Sequence, residues 1–178
     1  MPDDVKIQGL YEHDFYAWAG KQAEAIRAAH AALADRSVND WRTSLSDLDW
    51  KNLAEEIETL GRGERRELAR RIATVIEHLI KLEFSPAAEP RAGWQDTVDR
   101  SRAEIAAILR DSPSLRHLVP DLVLGETENA GRLASRSLTR HGETTRTATV
   151  RFQDPRYTPD QVLGDWWPDA AAAGRQPG

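Results

Sequence analysis

The sequence predicts an all-α fold: a compact helical bundle of four main helices and a short C-terminal helix, with one extended segment near residues 145–152. Three observations predict it. Alanine is the commonest residue and arginine outnumbers lysine, while isoleucine, valine, phenylalanine and tyrosine are sparse, a mixture of high helix propensity. Apolar residues recur at three- and four-residue steps through the first two thirds of the chain. The turn between the second and third of these runs is short enough to fold the next helix back on the last. A chain of 178 residues, 40% of them hydrophobic, can bury roughly 70% of its unfolded surface. Residues 1–168 therefore read as one helical domain, and residues 169–178, rich in alanine and ending in helix breakers, as a frayed tail.

The elements follow in order. Phe15, Trp18, Ala19, Gln22, Ala25, Ile26, Ala29 and Leu33 mark an amphipathic helix from about residue 13 to 35, with Asp14 in its first turn, where a carboxylate suits the positive end of the helix dipole. Ser, Asn, Asp and Thr between Asp35 and Ser46 read as a loop, with Trp41 folded onto the body. Asp49 caps a second helix whose apolar stripe is Trp50, Leu53, Ile57, Leu60, Leu68, Ile72, Val75, Leu79 and Leu82. The stripe keeps its phase across Gly61-Arg62-Gly63, so one long helix to about Phe84 is expected, kinked or loosened at the glycines; two helices meeting there is the alternative. After the turn at 85–90, Trp94, Val98, Ser101, Ile105, Ile108 and Leu109 define a third helix ending at Asp111. Ser112-Pro113 opens a fourth, which Pro120 bends or restarts and His141-Gly142 ends. Thr147, Thr149 and Val150 alternate in an extended segment that lacks a partner strand. Thr158-Pro159 starts the last short helix, and Trp166-Trp167 anchors the chain end.

Five blocks carry a family signal. Leu10-Tyr11-Glu12-His13-Asp14-Phe15-Tyr16-Ala17-Trp18 and the run from Leu48 to Arg66, together with His78-Leu79-Ile80-Lys81, Asp111-Ser112-Pro113-Ser114-Leu115-Arg116 and Tyr157 to Leu163, resemble the bacterial family known as domain of unknown function 29. The resemblance spans nearly the whole chain. It implies a compact, mostly helical bacterial protein and brings no activity, substrate or cofactor with it. This chain departs from the pattern in three places: Gly63 stands where serine is usual, the loop before Asp49 is longer, and no cysteine precedes Tyr157. Any redox or metal role resting on that cysteine cannot apply here.

Composition narrows function by exclusion. With no cysteine, disulfides, thiolate metal sites, iron–sulfur clusters and cysteine nucleophiles are ruled out. A net charge of −5 disfavours a surface built throughout for phosphate. The polar N-terminus lacks a signal-like apolar run and no stretch reaches membrane-spanning length, so a cytoplasmic protein with no membrane contact is expected. No Glu-x-x-His, His-Glu-x-x-His, nucleophile elbow or phosphate-cradling loop occurs; no metal, cofactor or well-marked enzyme class is expected.

What remains are polar residues where apolar ones belong. Glu64 falls near the middle of the long helix's stripe, with Arg71 and His78 seven and fourteen residues on, about 10 Å apart along the axis. Each needs a partner from elsewhere, and Gln22, Asp14, Arg102 and Ser101 are the candidates. The plain reading is a set of buried pairs that fix helix register; the sharper one is a ligand-binding or hydrolytic groove at Glu64, Arg71 and His78. Arg65 and Arg66 belong to a local excess of positive charge, with Arg62, Arg70 and Arg71 placed to pair with Glu58 and Glu67 at helical spacing. That self-pairing, without interleaved aromatics, disfavours nucleic acid. Trp166 and Trp167 are adjacent, so one ring can face a partner. The leading expectation is a protein–protein interaction or regulatory module, acting on another protein or on itself as a homodimer.

Overall fold

The computed structural model describes residues 9–35, 48–141 and 157–168. Trp41, the extended segment expected near 145–152 and the tail at 169–178 lie outside the described residues. The fold is all-α, with four long helices and a short C-terminal one, and no strand among the described residues. They are α1 (Phe15–Asp35), α2 (Trp50–Phe84), α3 (Arg91–Asp111), α4 (Val119–Arg140) and α5 (Pro159–Leu163), with a 3₁₀ helix at Pro113–Leu118. The chain divides into two compact units: Met1–Arg66 with Arg110–Leu115, and Glu67–Leu109 with Arg116–Gly178.

Helix ends explain much of the local sequence. Residues 9–13 are helical and Asp14 breaks the run. Instead of lying inside the first turn, Asp14 caps α1, its Oδ1 accepting from the Ala17 amide at 3.0 Å. The same carboxylate accepts from the Ser114 amide and hydroxyl, each at 2.7 Å, at the start of the 3₁₀ helix. Ser112 answers in kind: its Oγ accepts from the Tyr16 amide of α1 at 3.2 Å. Two helix starts about 100 residues apart thus satisfy each other's free amides. Both halves of this reciprocal cap lie in the blocks that carry the family resemblance.

Within the first unit, α1 and the first part of α2 run antiparallel. Gly61 faces Tyr16 and Ala19, Glu58 pairs with Arg27, and Trp50 stacks on His30 with ring centroids 6.2 Å apart. α2 runs unbroken through both glycines over 35 residues. Gly61 is there for contact: a Cβ added to it would lie 3.0 Å from the Ala19 Cβ, whereas nothing stands within 4 Å of Gly63. Among the described residues of this unit, Ala19, Ala23, Ala54 and Leu115 are the buried apolar ones.

The second unit has a conventional core. Leu68, Ile72, Val75, Ile76, Leu79, Ile80 and Leu82 of α2 are buried, with Val98, Ile105 and Leu109 of α3 and Leu122, Val123, Ala130, Ala134 and Leu138 of α4. At the end of α2, the Arg91 guanidinium donates to the carbonyls of Leu82 and Ser85 at 2.9 and 3.1 Å, answering acceptors that a helix terminus leaves free. The proline-led stretch after Ser112 winds as a 3₁₀ helix and the α-helix restarts at Val119, with Pro120 in its first turn. Thr158 and Gln161 form a capping box at the head of α5. α5 closes at Leu163, so Trp166 and Trp167 follow the helix and do not belong to it.

Candidate functional site

The stripe expected to be buried along α2 is buried only in its second half. Leu53 and Leu60 are 41% and 55% exposed, and Trp50 and Ile57 are half-buried. The reason is the close approach of α1. Small residues, Ala54 and Gly61, occupy the line of contact, and the leucines stand about 80–120° around the helix from them.

This gives the α1–α2 pair two unlike flanks. On one side is an open cleft of about 350 Å³ lined by Tyr16, Gly20, Lys21, Glu24, Glu58 and Arg62, among others. Glu58 pairs here with Arg27 and with Arg62, the latter at 3.1 Å, and these cations hold its carboxyl below the usual glutamate range. Helical spacing puts Leu53, Ile57, Leu60 and Glu64 on the opposite flank of α2. The corresponding flank of α1 carries Phe15, Trp18 and Ile26, all half-buried. Tyr11, 54% exposed, meets Phe15 and Trp18 edge-on at centroid distances of 6.0 and 4.9 Å, and Phe15 stacks on Trp18 at 5.5 Å.

The polar residues singled out from the sequence do not converge. Glu64 is half-buried and makes no hydrogen bond or ion pair with a described residue. Arg71 is held by Glu67 at 2.7 Å and by Glu104 of α3 at 2.5 Å. Glu104 Oε2 is shielded from solvent and meets this guanidinium as an ion pair, without the alignment of a hydrogen bond. Burial pushes the Glu67 carboxyl up, but Arg71 and Arg70 outweigh it and hold it low. His78 Nδ1 lies 2.9 Å from the Thr74 carbonyl one turn earlier. Burial moves the imidazole below its usual pKa against that carbonyl, favouring the neutral ring with the proton on Nδ1. Among the described residues no hydrogen bond or ion pair joins any two of Glu64, Arg71 and His78.

The expected pairs Glu58–Arg62, Glu67–Arg70 and Glu67–Arg71 are all present. Arg65 and Arg66 are exposed and form no ion pair with a described residue. Of the proposed partners for the stripe, Asp14 serves the caps and Arg102 does something the sequence does not announce. Nearly buried, Arg102 donates to the carbonyls of Val162, Gln161 and Trp166 at 3.1, 2.8 and 2.7 Å, and its guanidinium sits 4.9 Å from the centre of the Trp167 ring. Burial lowers its pKa, opposed by Asp99 and Asp165. A cation spread over three carbonyls and an aromatic face is a clamp on the C-terminal segment. Trp166 rests on Tyr157 at 5.7 Å, so each tryptophan has an intramolecular ring contact. Among the described residues no three His, Asp or Glu side chains gather to hold a metal ion, and no helix is long and apolar enough to cross a membrane.

The described residues define an all-helical protein. It belongs to the DUF29 family, a domain of unknown function whose family model matches residues 10–167. Among solved structures it is similar to an alpha-helical protein of unknown function from Rhodospirillum rubrum ATCC 11170, with a TM-score of 0.68 and 26% sequence identity over 92% of this chain and 94% of that one. No curated protein matches.

Proposed function

We propose that this protein is a helical interaction module that works by presenting the Leu53–Ile57–Leu60 flank of the α1–α2 pair to another protein. The observation that carries this reading is an inversion of normal burial. The pair buries alanines and a glycine, and leaves Leu53, Leu60 and Tyr11 at 41%, 55% and 54% exposure. A helix pair of this kind has apolar surface to spare, and exposed contiguous apolar surface is the usual mark of a docking face. The alternative groove at Glu64, Arg71 and His78 is less well supported, because Arg71 and His78 spend their polar atoms on Glu67, Glu104 and Thr74. The Trp166-Trp167 end is similarly occupied by Arg102 and Tyr157.

The test is affinity capture with the wild-type chain, identification of what is retained, and reconstitution of the pair from purified proteins. Leu60→Asp should abolish that reconstituted binding while the helical circular dichroism spectrum stays unchanged. Binding that survives Leu53→Asp and Leu60→Asp together would remove this face from the function.

A further inference from the structure

We infer that the occupant of this flank is an amphipathic helix bearing lysine or arginine beside its own apolar stripe. The inference rests on the reading of the flank as a docking face and adds the chemistry of what docks. Its starting point is Glu64. The stripe Leu53, Ile57, Leu60 continues onto a half-buried carboxylate that has no cation among the described residues, and Glu56, exposed and also unpaired, borders the same stripe four residues before Leu60. The nearby arginines do not serve it. Arg65, Arg66 and Arg62 are turned about 100° or more around the helix from Glu64, and Arg62 is already held by Glu58. On the α1 side the flank is Tyr11, Phe15, Trp18, Gln22 and Ile26, with no charge to offer.

Among the described residues the face from Leu53 to Glu64 is therefore apolar with negative charge and without positive charge of its own; Arg71, seven residues beyond Glu64, is held by Glu67 and Glu104. That decides between occupants. A second copy of this chain, meeting the same patch across a two-fold axis, would bring two sets of carboxylates onto one apolar seam with no cation from either. A helix with basic residues flanking leucines answers both features together. From Leu53 to Glu64 the stripe is about 17 Å long, three turns of a partner helix. Glu56 and Glu64 are eight residues apart, about 12 Å, so cations seven or eight residues apart on the partner would reach both.

The probes are two fluorescein-labelled peptides of about 18 residues with leucines at helical spacing, one flanked by lysines and the other by glutamates, read by anisotropy against the full chain. The lysine peptide should bind about ten-fold more tightly than the glutamate peptide. Glu64→Lys should close or reverse that difference, Glu64→Gln should shrink it, and Leu60→Asp should weaken binding of both. Equal binding of the two peptides, both weakened by Leu60→Asp, overturns the charge assignment and leaves the docking face standing. Binding of neither overturns both. A two-chain mass by light scattering that Leu60→Asp returns to one chain would make a second copy the occupant and also overturn the inference. The glutamine variant keeps the shape of Glu64, so a folding failure of the lysine variant does not remove the test.

Discussion

The two units of this chain use their apolar residues in opposite ways. In the second, the large side chains are inside: Leu68, Ile72, Leu79, Ile105 and Leu138 are buried, and a buried arginine clamps the C-terminal segment to the same body. In the first, alanines and a glycine hold two helices at close range while leucines and a tyrosine face outward. The difference teaches that burying small residues lets helices approach closely but removes little apolar surface from water. Among its described residues such a unit is held by small-residue contacts and by its helix ends. The reciprocal cap between Asp14 and Ser112 is the means by which this unit fixes its ends.

The most direct way to break this contrast is a pair of leucine truncations on one helix. Leu79→Ala, in the buried half of α2, should cost about 3 kcal/mol in urea unfolding, the loss of transfer energy plus a cavity. Leu60→Ala, nineteen residues earlier, should change stability by no more than about 0.5 kcal/mol. A cost near that of Leu79→Ala would mean that Leu60 is covered within the single chain, and the contrast between the units would fall.

A smaller effect is expected at the caps. Asp14→Ala removes the acceptor for the Ala17 and Ser114 amides and should cost about 2 kcal/mol, and Ser112→Ala, with a single amide left free, about 1 kcal/mol. Because each side chain holds the other's helix start in place, the double variant should cost less than the sum by about 0.5 kcal/mol or more. Strict additivity would show two independent caps that happen to be neighbours.

Most of the fold was legible in the sequence because helical periodicity and punctuation are local signals. The 3.6-residue stripe, the Asp49 and Thr158 starts, the proline restart at Val119 and the Glu58–Arg62 and Glu67–Arg71 pairs all depend on residues within a few positions of one another. The candidate site was not legible for the complementary reason. Whether Leu53 and Leu60 face a neighbour depends on how closely α1 approaches, which is set by Gly61 against Ala19, about forty residues away in sequence. The signal available was Gly61 in phase with Ala54: two small residues one heptad apart, flanked by leucines, describe a close helix contact whose large residues lie beside it. Arg102 was similarly opaque, since its partners are carbonyls of Gln161, Val162 and Trp166, and a main-chain acceptor leaves no mark in the sequence.

The finest test of the close contact compares the two glycines of α2. In a helix interior, replacing glycine by alanine gains about 1 kcal/mol through backbone entropy and burial of the backbone. Gly63 has open space around the position a Cβ would take, so Gly63→Ala should realise that gain in full. At Gly61 the new methyl would meet the Ala19 Cβ at 3.0 Å and the Tyr16 carbonyl oxygen at 3.6 Å. The Ala19 Cβ is fixed directly to its backbone and has no rotamer by which to move aside. The helices must therefore separate by a few tenths of an ångström along their shared face, an overpacking cost of about 1–3 kcal/mol. The gain is cancelled or reversed, so Gly61→Ala should leave the protein about 1 kcal/mol less stable than wild type and about 2 kcal/mol below Gly63→Ala. Equal stabilisation of the two variants, read from urea midpoints at constant slope, would show that α1 and α2 do not need glycine to meet, and that the outward-facing leucines require another cause.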